Sequence, residues 1–126
     1  MKTKFLFYGL ILILGLFLFN NSTFAQKKAT VYGEIVELTT FVKDNIKPTT
    51  PAGTEITLDN FKKGGTFVLF EKGTGKLVFL TGGLTDIKIE DQLKPYLGIT
   101  VFIKGAVYKK GGVRLITVED IGKYLK

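Results

Sequence analysis

Twice in this chain an apolar run rich in β-branched and aromatic residues breaks at four residues and then resumes. Thr66–Glu71 and Lys76–Thr81 flank Lys72-Gly73-Thr74-Gly75, and Ile99–Tyr108 and Val113–Glu119 flank Lys109-Lys110-Gly111-Gly112. Such runs suit the pleated surface of a strand, and short glycine-containing breaks between them signal tight reversals. Two hairpins are therefore expected, and they commit most of the chain to antiparallel sheet.

Upstream, Ala29 to Phe41 has the same strand-forming composition, but its alternation changes phase. With Glu34 in water, Gly33 and Ile35 point inward; with Glu37 in water, Val36 and Leu38 do. The change predicts a bulge or bend between Ile35 and Val36, with Gly33 permitting tight curvature beside it. Residues 43 to 54 hold Lys43, Asp44, Asn45, Pro48, Pro51 and Gly53, which predicts a long loop. From Thr57 the segment TLDNFKKGG predicts one or two helical turns stopping at Gly64. Between the hairpins, Asp86 to Leu97 places Ile89, Leu93 and Leu97 four apart, while Pro95 predicts a short or broken helix ending at Gly98. The tail from Glu119 is expected to leave the last strand as a turn or helical cap.

A long bent first strand able to pair twice, then two hairpins with a short helix between strands 3 and 4, predicts an all-β, five-stranded OB-fold-like barrel. A generic antiparallel barrel of the SH3-like kind, or an open meander, is the competing arrangement. Val31, Ile35, Val101, Ile103, Val107 and Leu115 are expected to share the core. The phrases Val31-Tyr32-Gly33-Glu34-Ile35-Val36-Glu37, Pro95 through Gly105 and Gly111-Gly112-Val113-Arg114-Leu115-Ile116 resemble the first and the fourth-to-fifth strands of small secreted bacterial OB-like domains. Some similar domains place cysteines and a histidine in the stretch corresponding to Thr40 through Asn60, which suggests a metal or redox role for them. This chain has neither residue type, so the resemblance implies the fold alone.

The N-terminus has the layout of a secretory signal peptide: Lys2 and Lys4, an apolar stretch from Phe5 to Phe19, and a polar tail ending Ser22-Thr23-Phe24-Ala25. That stretch is shorter than the roughly 20 residues of a stable membrane-spanning helix. Cleavage is expected between Ala25 and Gln26, giving a signal peptide of residues 1–25 and one domain of residues 26–126. The protein is then exported, periplasmic or secreted, with no membrane span after cleavage. Without cysteine the domain has no disulfide and must be held by burial alone.

Composition narrows the chemistry. Neither histidine nor cysteine is present, so there is no imidazole base, no thiolate nucleophile and no zinc or haem site of the usual ligand types. Glu90-Asp91 and Glu119-Asp120 are adjacent pairs, which do not converge on one point from a helix face. The glycine-rich segments lack the lysine-serine and the strand-to-helix frame of a phosphate loop. No catalytic residue, metal or cofactor is implied, and the chain does not read as an enzyme.

Binding remains. Ligands of OB barrels lie across strands 2 and 3, between the loop joining strands 1 and 2 and the loop joining strands 4 and 5. If Glu71 faces water, Phe67 and Leu69 share its side, and Lys76 likewise carries Val78 and Leu80 outward. The expected surface joins the strip of Phe67, Leu69 and Val78 to Phe41, Lys43, Lys62 and Lys63 from the first loop. Tyr108, Lys109, Lys110 and Arg114 complete it from the last hairpin. The chain carries 18 basic against 11 acidic residues, and its lysines are spread along it. Charge so spread is expected mainly to serve solubility, and the binding face is expected to take a protein or an anionic envelope component. The alternative is an oligonucleotide, held by stacking and phosphate attraction.

Overall fold

The structure is a computed structural model and describes residues 27–82 and 88–125. The expected leader, its cleavage point before Gln26 and the start of the Asp86–Leu97 segment lie outside these residues.

Five strands close into one barrel: β1 (Lys27–Glu37), β2 (Phe67–Glu71), β3 (Leu77–Gly82), β4 (Thr100–Lys110) and β5 (Val113–Lys123), in the spatial order β1-β2-β3-β5-β4. All neighbours are antiparallel except β3 and β5. Helices α1 (Leu38–Asp44) and α2 (Pro51–Lys62) lie between β1 and β2. Helix α3 (Ile89–Leu93), continued by a single tight turn over Lys94–Tyr96, joins β3 to β4. The all-β, five-stranded barrel expected from the hairpins is present, with the short broken helix between strands 3 and 4. Among the described residues no helix is long and apolar enough to cross a membrane.

β1 closes the barrel by pairing twice. Its first part pairs with β4 from Lys27↔Val107 to Glu34↔Thr100, and its last part with β2 from Gly33↔Glu71 to Glu37↔Phe67. At Gly33 the strand serves both partners, and a Cβ there would collide with the Phe70 carbonyl oxygen, so only glycine allows the crossing. The bulge expected between Ile35 and Val36 is absent, because the register with β2 runs unbroken through both residues. The irregularity lies instead in the β4–β5 ladder, where Lys104↔Asp120 is followed by Gly105↔Val118 and Glu119 of β5 is the extra residue.

The phase change had another cause. Glu37 does not face water: it is fully buried and occupies the inward row with Ile35, while Val36 points outward and is buried as well. Helices cover it. The segment expected as strand to Phe41 and then loop turns helical at Leu38, because the Glu37 carboxylate accepts the orphan amides of Thr39 and Thr40 as an N-cap. Asn45, in the left-handed conformation, ends α1. The prolines of the expected loop are likewise helix punctuation: Thr50 caps α2 and Pro51 occupies its first turn. The helical turns read at TLDNFKKGG form the end of α2.

The second hairpin is tighter than expected, with only Gly111 and Gly112 between the strands, both at positive φ. That is the conformation a two-residue reversal between twisted strands demands. The tail does not leave at Glu119 either, since β5 continues to Lys123 against β4.

The core cluster inside the barrel joins Val31, Ile35, Val101 and Ile103 to Ile116 and Val118, with Val107 packed against it. Leu93 of α3 is fully buried among them. Leu115, expected in the core, stands on the opposite face of β5, between the inward Arg114 and Ile116 and opposite Phe79.

Candidate functional site

The strip of Phe67, Leu69 and Val78 is not a surface. All three are buried in the barrel core, Phe67 stacked on Phe61 with ring centroids 4.1 Å apart, and Leu80 is buried with them. The misreading came from one assumption, that Glu71 faces water. Glu71 shares the inward row of β2 with Leu69 and Phe67, and its charge is met at the barrel mouth by Arg114, which stands on the inward row of β5 with Ile116 and Val118.

The true outer row of β2 and β3 is Val68, Phe70, Leu77 and Phe79, linked by the pairs Val68↔Phe79 and Phe70↔Leu77. The part on β2 is covered. Phe41 of α1 packs on Phe70 at 4.9 Å between ring centroids, and the Lys47 ammonium sits 5.1 Å from the same ring. Val68 is completely buried. The part on β3 is open, and there the molecule has a groove of about 700 Å³ between the start of β3 and the tip of the β4–β5 hairpin.

Leu77 and Phe79 line that groove from one side and Val113, half exposed, from the other. Lys76, Lys109 and Lys110 supply its cations, and the backbone of Gly111 and Gly112 closes the tip. Among the described residues no carboxylate lines it. Among the described residues none of the three lysines enters a salt bridge. An apolar floor with ammonium groups at its rim suits a ligand that is both anionic and partly apolar.

Arg114 also lines the groove, but its charge is engaged. One guanidinium nitrogen is 2.7 Å from Glu71 Oε1 and the other 3.3 Å from Oε2, and the Thr74 hydroxyl donates to Oε1 at 2.6 Å. The Arg114 hydrogen bonds hold the Glu71 pKa below its ordinary value of 4.5; partial burial opposes them, and Thr74 and the charges of Arg114 and Lys76 add to the lowering.

Of the residues expected to form a binding face, the groove brings together Lys109, Lys110 and Arg114. Tyr108 is exposed on the neighbouring outer row, opposite Leu115. Phe41 belongs to the helical cover, and Lys43 is exposed in the last turn of α1. Lys62 and Lys63 end α2 just ahead of β2, whereas Lys76 and Leu77 follow the far end of that strand. Lys63 pairs with Asp59, and Lys62 lines a separate cleft with Ile56 and Leu58. Leu77, Phe79 and Val113 were missed. The signal for them was the arginine: Arg114 is the only one among 18 basic residues, and an arginine flanked by Val113 and Leu115 has a partner to find.

A second carboxylate is wholly internal. Glu37 accepts from the Thr40 amide at 2.9 Å, the Thr40 hydroxyl at 3.0 Å, the Asn60 side-chain amide at 2.8 Å and the Thr39 amide at 3.1 Å. Burial pushes its pKa up, but the hydrogen bonds from Thr40, Asn60 and Thr39 outweigh it and leave the value below 4.5. It ties α1, α2 and the start of β2 to the barrel and is fully buried, so its role is structural. No protein-family model, no curated protein and no solved structure matches this chain.

Proposed function

We propose that the protein is an exported, non-catalytic OB-fold binding module that holds an acidic segment of a protein partner in the groove between β3 and the β4–β5 hairpin. The observation that carries this reading is the convergence of Lys76, Lys109 and Lys110 on an apolar floor of Leu77, Phe79 and Val113 with no carboxylate among the lining residues. The place agrees in part: of the surface on which OB barrels take ligands, β3 and the loop joining the last two strands line this groove, whereas the outer row of β2 is covered. The groove is concave and bounded by the β4–β5 hairpin tip, and so fits a chain segment better than a flat bilayer. Its apolar floor would seat a leucine or phenylalanine of the partner, and the lysines would meet the flanking carboxylates. Among the groove's lining residues Phe79 is the only aromatic ring, too few for a stacking track along single-stranded nucleic acid.

The test is association of the purified protein with a fluorescent peptide of alternating glutamate and leucine, followed by stopped flow. Reversing charge in the Lys109→Glu, Lys110→Glu double variant is expected to slow association by about tenfold at low salt, with a smaller change in dissociation. Phe79→Ala is expected to shorten the life of the complex instead. Equal rates in wild type and both variants contradict the assignment. Stronger binding of oligothymidylate than of the peptide, with a steep loss in salt, replaces it with the oligonucleotide reading.

A further inference from the structure

The single arginine of the chain lines the groove and is paired with Glu71. We infer that Glu71 is an internal competitor for the groove's anionic ligand: it occupies Arg114, the one bidentate cation present, and thereby sets the affinity of the site low. The inference rests on the proposed binding function and adds to it how that binding is tuned.

The geometry supports competition rather than a merely structural pair. Arg114 lines the ligand groove, whereas Glu71 lines the adjoining cleft with Gly33 and Thr100, so the ion pair forms the wall between the two. Both side chains keep some contact with solvent, 21% exposed for Arg114 and 14% for Glu71, so the pair is not sealed in the core. Its fork suits a carboxylate better than any lysine ammonium does, and Glu71 presents the same chemical group as the proposed ligand. Thr74 adds a hydrogen bond at 2.6 Å that holds Glu71 in place. Glu71 is a positioning residue in this account: it acts on the ligand only through Arg114.

The experiment is a double-mutant cycle on the whole protein, with affinity for the same glutamate–leucine peptide as its readout. Glu71→Gln keeps the shape and the acceptance from Thr74 but gives up the charge. It is expected to raise affinity by about fivefold, the effect of one added, partly exposed ion pair. In the Arg114→Met background the same Glu71→Gln change is expected to raise affinity by less than about twofold. Equal gains in both backgrounds overturn the inference, because Glu71 would then act through net charge alone. No gain in either overturns it as well. Should Glu71→Gln fail to fold, the wild type still decides the matter, since a lone arginine gives unambiguous guanidinium NMR signals. On saturation with peptide those signals are expected to shift toward those of a ligand-bound fork, and unchanged signals overturn the proposal. Absence of any peptide binding by the wild type is a different result: it removes the proposed function itself.

Discussion

The outer face of this barrel is treated in two ways. Over β1 and β2, Val36 and Val68 are fully buried and Phe41 of α1 packs on the neighbouring Phe70. Over β3 and β5, Leu77, Phe79 and Leu115 continue the same apolar row and are only partly buried among the described residues, and Val113 at its end is half exposed. Composition does not separate the two faces; the connections do. The chain between β1 and β2 is long enough to fold back as two helices, while β4 and β5 are joined by two glycines that can cover nothing. The helical connection thus buries one apolar face, and a tight turn leaves the other as a groove.

The covered face depends on Glu37, which pins both helices and the start of β2 to the barrel, and removing it tests that face most severely. Glu37→Ala strands the amides of Thr39 and Thr40 and the side chain of Asn60, at an expected loss of about 3 kcal/mol in urea denaturation. A loss near that of an ordinary surface change would mean that the helices hold themselves.

A paired comparison comes next. Val68→Ala on the covered face is expected to cost about 2 kcal/mol, whereas Leu77→Ala on the open face, though it removes more carbon, costs about 1 kcal/mol. The larger truncation should do the smaller damage. Reversed order would mean that the open face is sealed in solution.

The smallest effect is on pH dependence. Glu37 and Glu71 both have native pKa values lowered from 4.5, so their contribution is complete above that value. It is lost as the pH falls from there through the native values, because the unfolded state then takes up protons that the folded state refuses. Glu37→Gln and Glu71→Gln are each expected to flatten the stability profile below about pH 4.5 and to leave its slope near pH 7 unchanged.

The barrel was legible in the chain because its signals are local: two hairpins, a glycine where the first strand must cross, a proline that shortens the connecting helix. What failed was the assumption that a carboxylate in a strand marks the wet side. Glu37 and Glu71 both stand on inward rows, one satisfied by backbone amides and the other by the only arginine, and each partner is distant in sequence or part of a cap. Taking Glu71 as outward inverted β2 and carried Phe67 and Leu69 to the surface with it. Taking Glu37 as outward created a bulge that does not exist and hid the start of α1. The lysines at the hairpin tip were found because position at a turn, not strand parity, exposes them. Leu77 and Phe79 were hidden by the same parity error and became visible only with the pairing of β2 and β3.

The central claim is that the open face between β3 and the β4–β5 hairpin is where this protein binds. Titrating the ¹⁵N-labelled protein with the glutamate–leucine peptide and following its amide spectrum tests that claim most directly. The account predicts progressive shifts at Lys76, Leu77, Phe79 and Lys109 through Val113, with Lys62, Lys63 and the amides of α2 unmoved. Shifts centred on α2 and its lysines, with the hairpin tip unchanged, would contradict it.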